Sequence, residues 1–163
     1  MIVSTILRRM VADSGKNFHD INHFLKVYAY ARTIGLQEGL EPDTQITLET
    51  AALIHDIACP LCREKYGSTH GPYQETEGTL LAAKFLQDSG LSPSVIDRVV
   101  YLVGHHHTYS AVDGMDYQIL LEADFLVNAE ESNLSTDTIR HMRDTLFQTA
   151  SGTALLEALY AIS

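Results

Sequence analysis

Four side chains raise the question of chemistry first: His23, the adjacent pair His55 and Asp56, and Asp124. Each sits on an apolar stripe with helical spacing. Val27, Tyr30, Ala31 and Ile34 form one stripe, and His23 extends it one turn earlier. Leu48, Ala51 and Ala52 form a second, which His55 continues with Asp56 beside it; Leu120, Ala123 and Val127 frame Asp124 in a third. Three helices would thus each aim an ionisable group along the face they bury. An isolated core histidine is more often a hydrogen-bonded structural residue than a ligand. A lone buried charge, however, costs several kcal/mol unless it is paired or binds metal. The groups can satisfy one another only by converging, and a shared cation is the simplest solution.

The donor set restricts that cation. Two imidazoles and two carboxylates suit Fe, Mn, Co, Ni or Zn, whereas Mg and Ca prefer oxygen-only shells. With protein ligands at four places, a six-coordinate ion keeps places for water and for a substrate oxygen. A bound metal can bring the pKa of water from 15.7 down to about 7 and withdraw charge from a phosphoryl oxygen. Phosphoester hydrolysis is chemistry such a site performs readily.

Other residues bear on a phosphorylated ligand. Lys26 lies one turn after His23, and Arg63 and Lys65 follow the His55-Asp56 pair. Each also reads as a solvated surface charge, Lys26 above all, whereas Arg63 and Lys65 are the better candidates because a loop beside a metal site can close over substrate. In the run GHHHTY, Val95, Val99, Leu102 and Val103 form a stripe that His106 continues, with His105 and His107 to either side. A polar helix end, where imidazoles meet the last carbonyls, is the bland alternative. Cys59 and Cys62 form one CxxC, too few ligands for a structural zinc site. They read as partly buried small hydrophobes, with reversible oxidation as the alternative. No Walker-type phosphate loop is present.

The elements that must position these residues are helices throughout. The 163 residues are 45% hydrophobic and 20% charged, ordinary for a globular domain. Apolar residues recur at three and four, and nothing alternates over strand length. Helices are expected over about 2–13, 19–38, 43–57, 73–88, from Ser92 to the histidines, over 115–130, from Ser135 and after Ser151-Gly152. Residues 59–72 read as a turn-rich loop. The fold expected is all-α, a single bundle of about six to eight helices. Its core would span about 19–130, with C-terminal helices over 135–162 packing on it.

Lys and Arg total 11 against 21 acidic residues, a net charge of -10. That balance disfavours a nucleic-acid polymer as partner. No segment approaches the roughly 20 apolar residues that span a bilayer, so a cytoplasmic location is expected, with a homodimer among the open assemblies.

The order of a His in an early helix, His-Asp ending an apolar helix, and a later Asp resembles the HD superfamily of phosphohydrolases. The matching text is DINHFLKVYAYARTIG around His23, TAALIHDIA around His55 and Asp56, and LLEADFLVN around Asp124. The stretch from GHHHTY to LLEADFLVNAEE further resembles small stand-alone bacterial HD proteins known only as predicted hydrolases. The resemblance implies an all-α fold, the four residues as metal ligands, and a nucleotide or related small phosphorylated substrate. It also implies that the GHHHTY segment lies at the pocket, favouring His106 and then His105 as site residues. Two-metal branches of the superfamily add a His four residues before a small residue on a middle helix. Counting back from Gly78 gives Gln74, a poor ligand, so one metal per chain is expected. Glu75, one position on, is either a replacement ligand, a base or a first-turn acid. A di-iron oxygenase and a metal-binding regulatory module without turnover are the alternatives in other classes.

Overall fold

The computed structural model describes residues 2–162. Among these it contains α1 (Ile2–Ser14), α2 (Phe18–Gln37), α3 (Pro42–Ile54), α4 (Cys59–Tyr66), α5 (Gly71–Leu86), α6 (Pro93–Val103), α7 (Met115–Glu131), α8 (Thr136–Thr145) and α9 (Ala150–Tyr160), and no strand. The starts are written in local chemistry. Asn17, Ser92, Ser135 and Thr149 each cap a helix by accepting a backbone N–H from three residues on. Such a cap contributes about 1 kcal/mol. Pro42, Pro60, Pro72 and Pro93 occupy first-turn positions, where a missing N–H costs nothing.

α7 is the central post, buried without interruption from Asp116 to Val127. α2 packs on α3 and α7, α3 also on α6 and α7, and α5 on α6. The hydrophobic core draws on every helix except α4. No described helix is long and apolar enough to cross a membrane.

Two differences from expectation matter for the site. Residues 59–66 form a helix where a loop was expected, because Pro60 fits its first turn and Gly67, at φ +63°, takes the left-handed conformation that ends it. α3 and α6 both stop early. His55 caps α3 and Asp56 lies in the following turn, while His105, His106 and His107 lie beyond Val103 in turns of their own. A turn at each helix end swings these side chains off the helix axis and toward one another.

Candidate metal centre

His23 comes from the second turn of α2, His55 and Asp56 from the end of α3, and Asp124 from the middle of α7. Packing of α2, α3 and α7 brings the four together. The Nε2 atoms of His23 and His55 face each other at 3.2 Å. Asp124 Oδ1 lies 3.2 Å from His23 Nε2 and 3.4 Å from His55 Nε2. Asp56 Oδ2 lies 3.5 Å from the first and 3.6 Å from the second. The other oxygen of Asp56 faces His106 Nε2 at 3.3 Å.

The far side of each ring decides what it presents. His23 Nδ1 meets Glu131 Oε2 at 2.8 Å, His55 Nδ1 meets the Ala52 carbonyl at 2.9 Å, and His106 Nδ1 meets the Val103 carbonyl at 2.8 Å. Each neighbour is an acceptor, so each Nδ1 carries the proton and a neutral ring offers its Nε2 lone pair inward. The His23 and His55 lone pairs and the two carboxylates therefore point at one small volume, with the His106 lone pair against the other oxygen of Asp56, so that acceptors alone face acceptors. His106 Nε2 and Asp124 Oδ1 are buried without a hydrogen-bond partner among the described residues. Such a set demands a cation. Its N and O donors fit a divalent transition metal, and the Glu131–His23 contact is the outer-sphere support such ligands normally have.

Without a metal, protons answer the same demand. Burial works against a charge on His23, but its hydrogen bond to Asp124 and the nearby Asp56 and Glu131 carboxylates outweigh it, and its pKa is pushed up to about 9. His106 is also raised despite burial, through Asp56. Asp124 is held well below the usual carboxylate range because the two imidazoles overcome the effect of burial, and Asp56 likewise through His55 and His106.

A second donor group shares Asp56: its carboxylate, His106 and His107 place ligating atoms within 4.8 Å of one another. Gln74 is buried beside this group but fully engaged, donating to the Thr69 carbonyl at 2.7 Å and accepting from the Cys59 thiol at 3.2 Å. Glu75 is committed elsewhere. Its Oε1 accepts from the His107 backbone at 3.1 Å and the Thr108 hydroxyl at 3.0 Å, so it pins the histidine segment. His105 is not brought to the site: it stacks on Tyr101 at 4.1 Å and bonds the Tyr101 carbonyl. One residue of phase in a tight turn separates it from buried His106.

Of the three expected cations, Arg63 lines the cavity bordered by His23, Asp56 and Asp124, which measures about 180 Å³. It is ion-paired there with Asp20. Lys26 is held by Glu130 at 3.0 Å and Glu131 at 3.6 Å, and Lys65 by Glu77 at 2.6 Å, so neither faces the cavity. Asp20, Cys59, Thr69, Asn128 and Glu131 also line it, and sequence reasoning assigned none of them to the site. Helical phase carried a signal for three: Asp20 precedes His23 by three residues, and Asn128 and Glu131 follow Asp124 by four and seven. Cys59 and Cys62 are buried free thiols, and burial pushes both pKa values up, Cys59 the further.

The profile of the HD domain family matches residues 20–136 of the chain. The crystal structure of a predicted HD superfamily hydrolase from an uncultured Thermotogales bacterium superposes with a TM-score of 0.66. The match covers 98% of this chain and 83% of that one at 24% sequence identity, and establishes likeness of fold. No curated protein matches the chain.

Proposed function

Because the chain belongs to the HD domain family, we propose that it is a metal-dependent phosphohydrolase acting on a small phosphorylated compound of the nucleotide class. The observation carrying this reading is the inward-facing acceptor set of His23, His55, Asp56 and Asp124, two of them joined by Nε2 atoms 3.2 Å apart. A divalent transition metal held there would supply Lewis acidity, lowering the pKa of water toward neutrality and drawing charge from a phosphoryl oxygen. The chain's own groups do the remaining work. Glu131 fixes the ring of His23. Arg63, braced by Asp20, offers a planar guanidinium at the cavity wall suited to two phosphate oxygens. His106 can accept or return a proton at Nε2, beside Asp56.

Asp56→Ala should lose its tightly held metal and lower hydrolysis of nucleotides and generic phosphoesters by more than the roughly 10–100-fold that outer-sphere changes cost. Its helical circular dichroism should persist. Full metal content with full turnover in this variant would reject the reading.

The donor group of Asp56, His106 and His107 favours a second version, in which these residues would hold a further cation, as a di-iron oxygenase would need. Against it stands Gln74, whose amide is already committed on both ends. We propose one strongly held cation per chain. His106→Ala should then keep that metal while turnover falls about 10²–10⁴-fold, the range for loss of a proton-transfer group. Two ions per chain in the unaltered protein, with one lost in His106→Ala, would favour the two-cation version.

A further inference from the structure

Two cavities meet at Asp56. Beside the metal cavity lies a cleft of about 90 Å³ where the end of α1, the start of α2 and the end of α3 converge, and Asp20 and Asp56 line both spaces. Its walls are Met10, Phe24, Leu53, Ile57 and Pro60, and its mouth carries Asp13 and Ser14. Phe24 and Leu53 belong to the buried core, so the walls are rigid and already desolvated. Asp13 makes no hydrogen bond or ion pair among the described residues, and Ser14 is half-buried.

We propose that this cleft is the subsite for the leaving-group end of the phosphoester, selecting a ring-bearing alcohol that is uncharged or carries an amine over one that carries a second anion. The inference rests on the phosphohydrolase reading. Asp56 and Asp20 line both spaces, so a phosphoester whose phosphorus sits in the metal cavity with its departing alcohol toward those two side chains would direct that alcohol to the cleft. Hydrolysis joins a water oxygen to phosphorus, breaks the ester P–O bond and leaves one of water's protons on the alcohol oxygen. The rest of the alcohol needs a place out of water, and the apolar walls supply it for a group the size of one ring. Charge decides the class. Asp13, Asp20 and Asp56 all face the cleft, no Lys or Arg is among its lining residues, and Arg63 lines the metal cavity, already paired with Asp20. A second phosphate or a carboxylate would be desolvated among like charges, whereas an N–H or ammonium would find the unpaired Asp13 carboxylate as acceptor. Alcohols and phenols bearing one uncharged or amine-carrying ring meet these terms; phosphorylated organic acids and bisphosphates do not.

The test uses ring probes differing only in charge. In metal-free protein, ligand-observed NMR should detect benzylamine binding and little benzoate binding. Ser14→Phe, which puts a ring into the mouth, should weaken benzylamine at least about tenfold, and Asp13→Lys, at an exposed position, should reverse the preference. In metal-loaded protein, kcat/KM for 4-(aminomethyl)phenyl phosphate over 4-carboxyphenyl phosphate should fall at least about tenfold in Asp13→Lys. Ser14→Phe should lower kcat/KM for phenyl phosphate by a similar factor and leave ethyl phosphate within about twofold. Equal binding of the two probes, or variants that treat ring and ethyl substrates alike, would overturn the proposal. If benzylamine binds as described but no phosphoester is hydrolysed, the phosphohydrolase reading fails and the cleft stands as a ring-binding site alone.

Discussion

Glu131 stands 108 residues from His23 in the chain, yet its carboxylate meets the His23 ring at 2.8 Å. That contact sets which nitrogen of His23 carries the proton, and hence whether the cavity receives a lone pair. Glu131 also takes part in holding Lys26, at 3.6 Å. Glu131→Gln keeps the shape but replaces a charged acceptor with an amide, and its flipped orientation could offer a donor to the ring. Metal affinity should fall about 10–100-fold, with secondary structure unchanged, as for other outer-sphere changes. Equilibrium titration of chelated protein with Mn, Co or Ni measures this directly, and unaltered affinity would remove Glu131 from the site. His23, His55, Asp56 and Asp124 were legible from their stripes because a polar residue in helical phase with apolar neighbours is conspicuous. Glu131 was not, since a carboxylate at a helix end reads as solvated until another helix is seen beneath it.

At the scale of elements, the site depends on how helices end and where they are pinned. α7 carries Asp124 at its middle and Glu131 at its last position, and a buried carboxylate on the same helix, Glu122, ties it to α9. Glu122 accepts from the backbone of Gln148 at 2.7 Å and of Thr149 at 3.0 Å, as well as from Gln118 at 2.8 Å. Gly152 is required at this junction because a Cβ would overlap the Glu122 carboxylate and stand 2.6 Å from the Thr149 hydroxyl. Gly152→Ala should therefore destabilise the protein by about 1–3 kcal/mol, the usual cost of overpacking. In an exposed helix the same change would stabilise it. Chemical denaturation decides the sign. Sequence reasoning took Ser151-Gly152 as the break before the last helix. In the structure both residues lie inside it, because Thr149 is the cap and Gly152 serves packing.

For the whole molecule, one cation would join α2, α3 and α7, so its binding free energy becomes folding free energy. At a free metal concentration about 100 times Kd the gain is about 2.7 kcal/mol. At about 2–4 °C per kcal/mol for a domain of this size, that raises Tm by roughly 5–11 °C. The His23→Ala variant should respond little. The pH dependence has a definite sign. In chelated protein His23 is raised from 6.5 to about 9, so its contribution is fully present below pH 6.5 and is lost as pH rises through about 9. Metal requires the neutral ring, so its added stability grows over the same range and fades as pH falls. Melting curves with and without metal should diverge between pH 6.5 and 9; parallel curves would count against a shared buried site.

Periodicity and composition determined the all-α class, most helix boundaries and the four polar interruptions that converge, because a residue's helical phase depends only on near neighbours. The tertiary structure decided what those neighbours could not encode. It separated His106, aimed at Asp56 at 3.3 Å, from His105, turned onto Tyr101, although the two are adjacent in one run. It committed Gln74 to Cys59 and Thr69, and Lys26 and Lys65 to carboxylates away from the cavity. It also opened the cleft beside Asp56 from pieces of four helices. The physical reason is common to all of these. A side chain's direction at a helix end, and the partner that neutralises a charge, are set by contacts between segments distant in sequence, which exist only once the helices have packed.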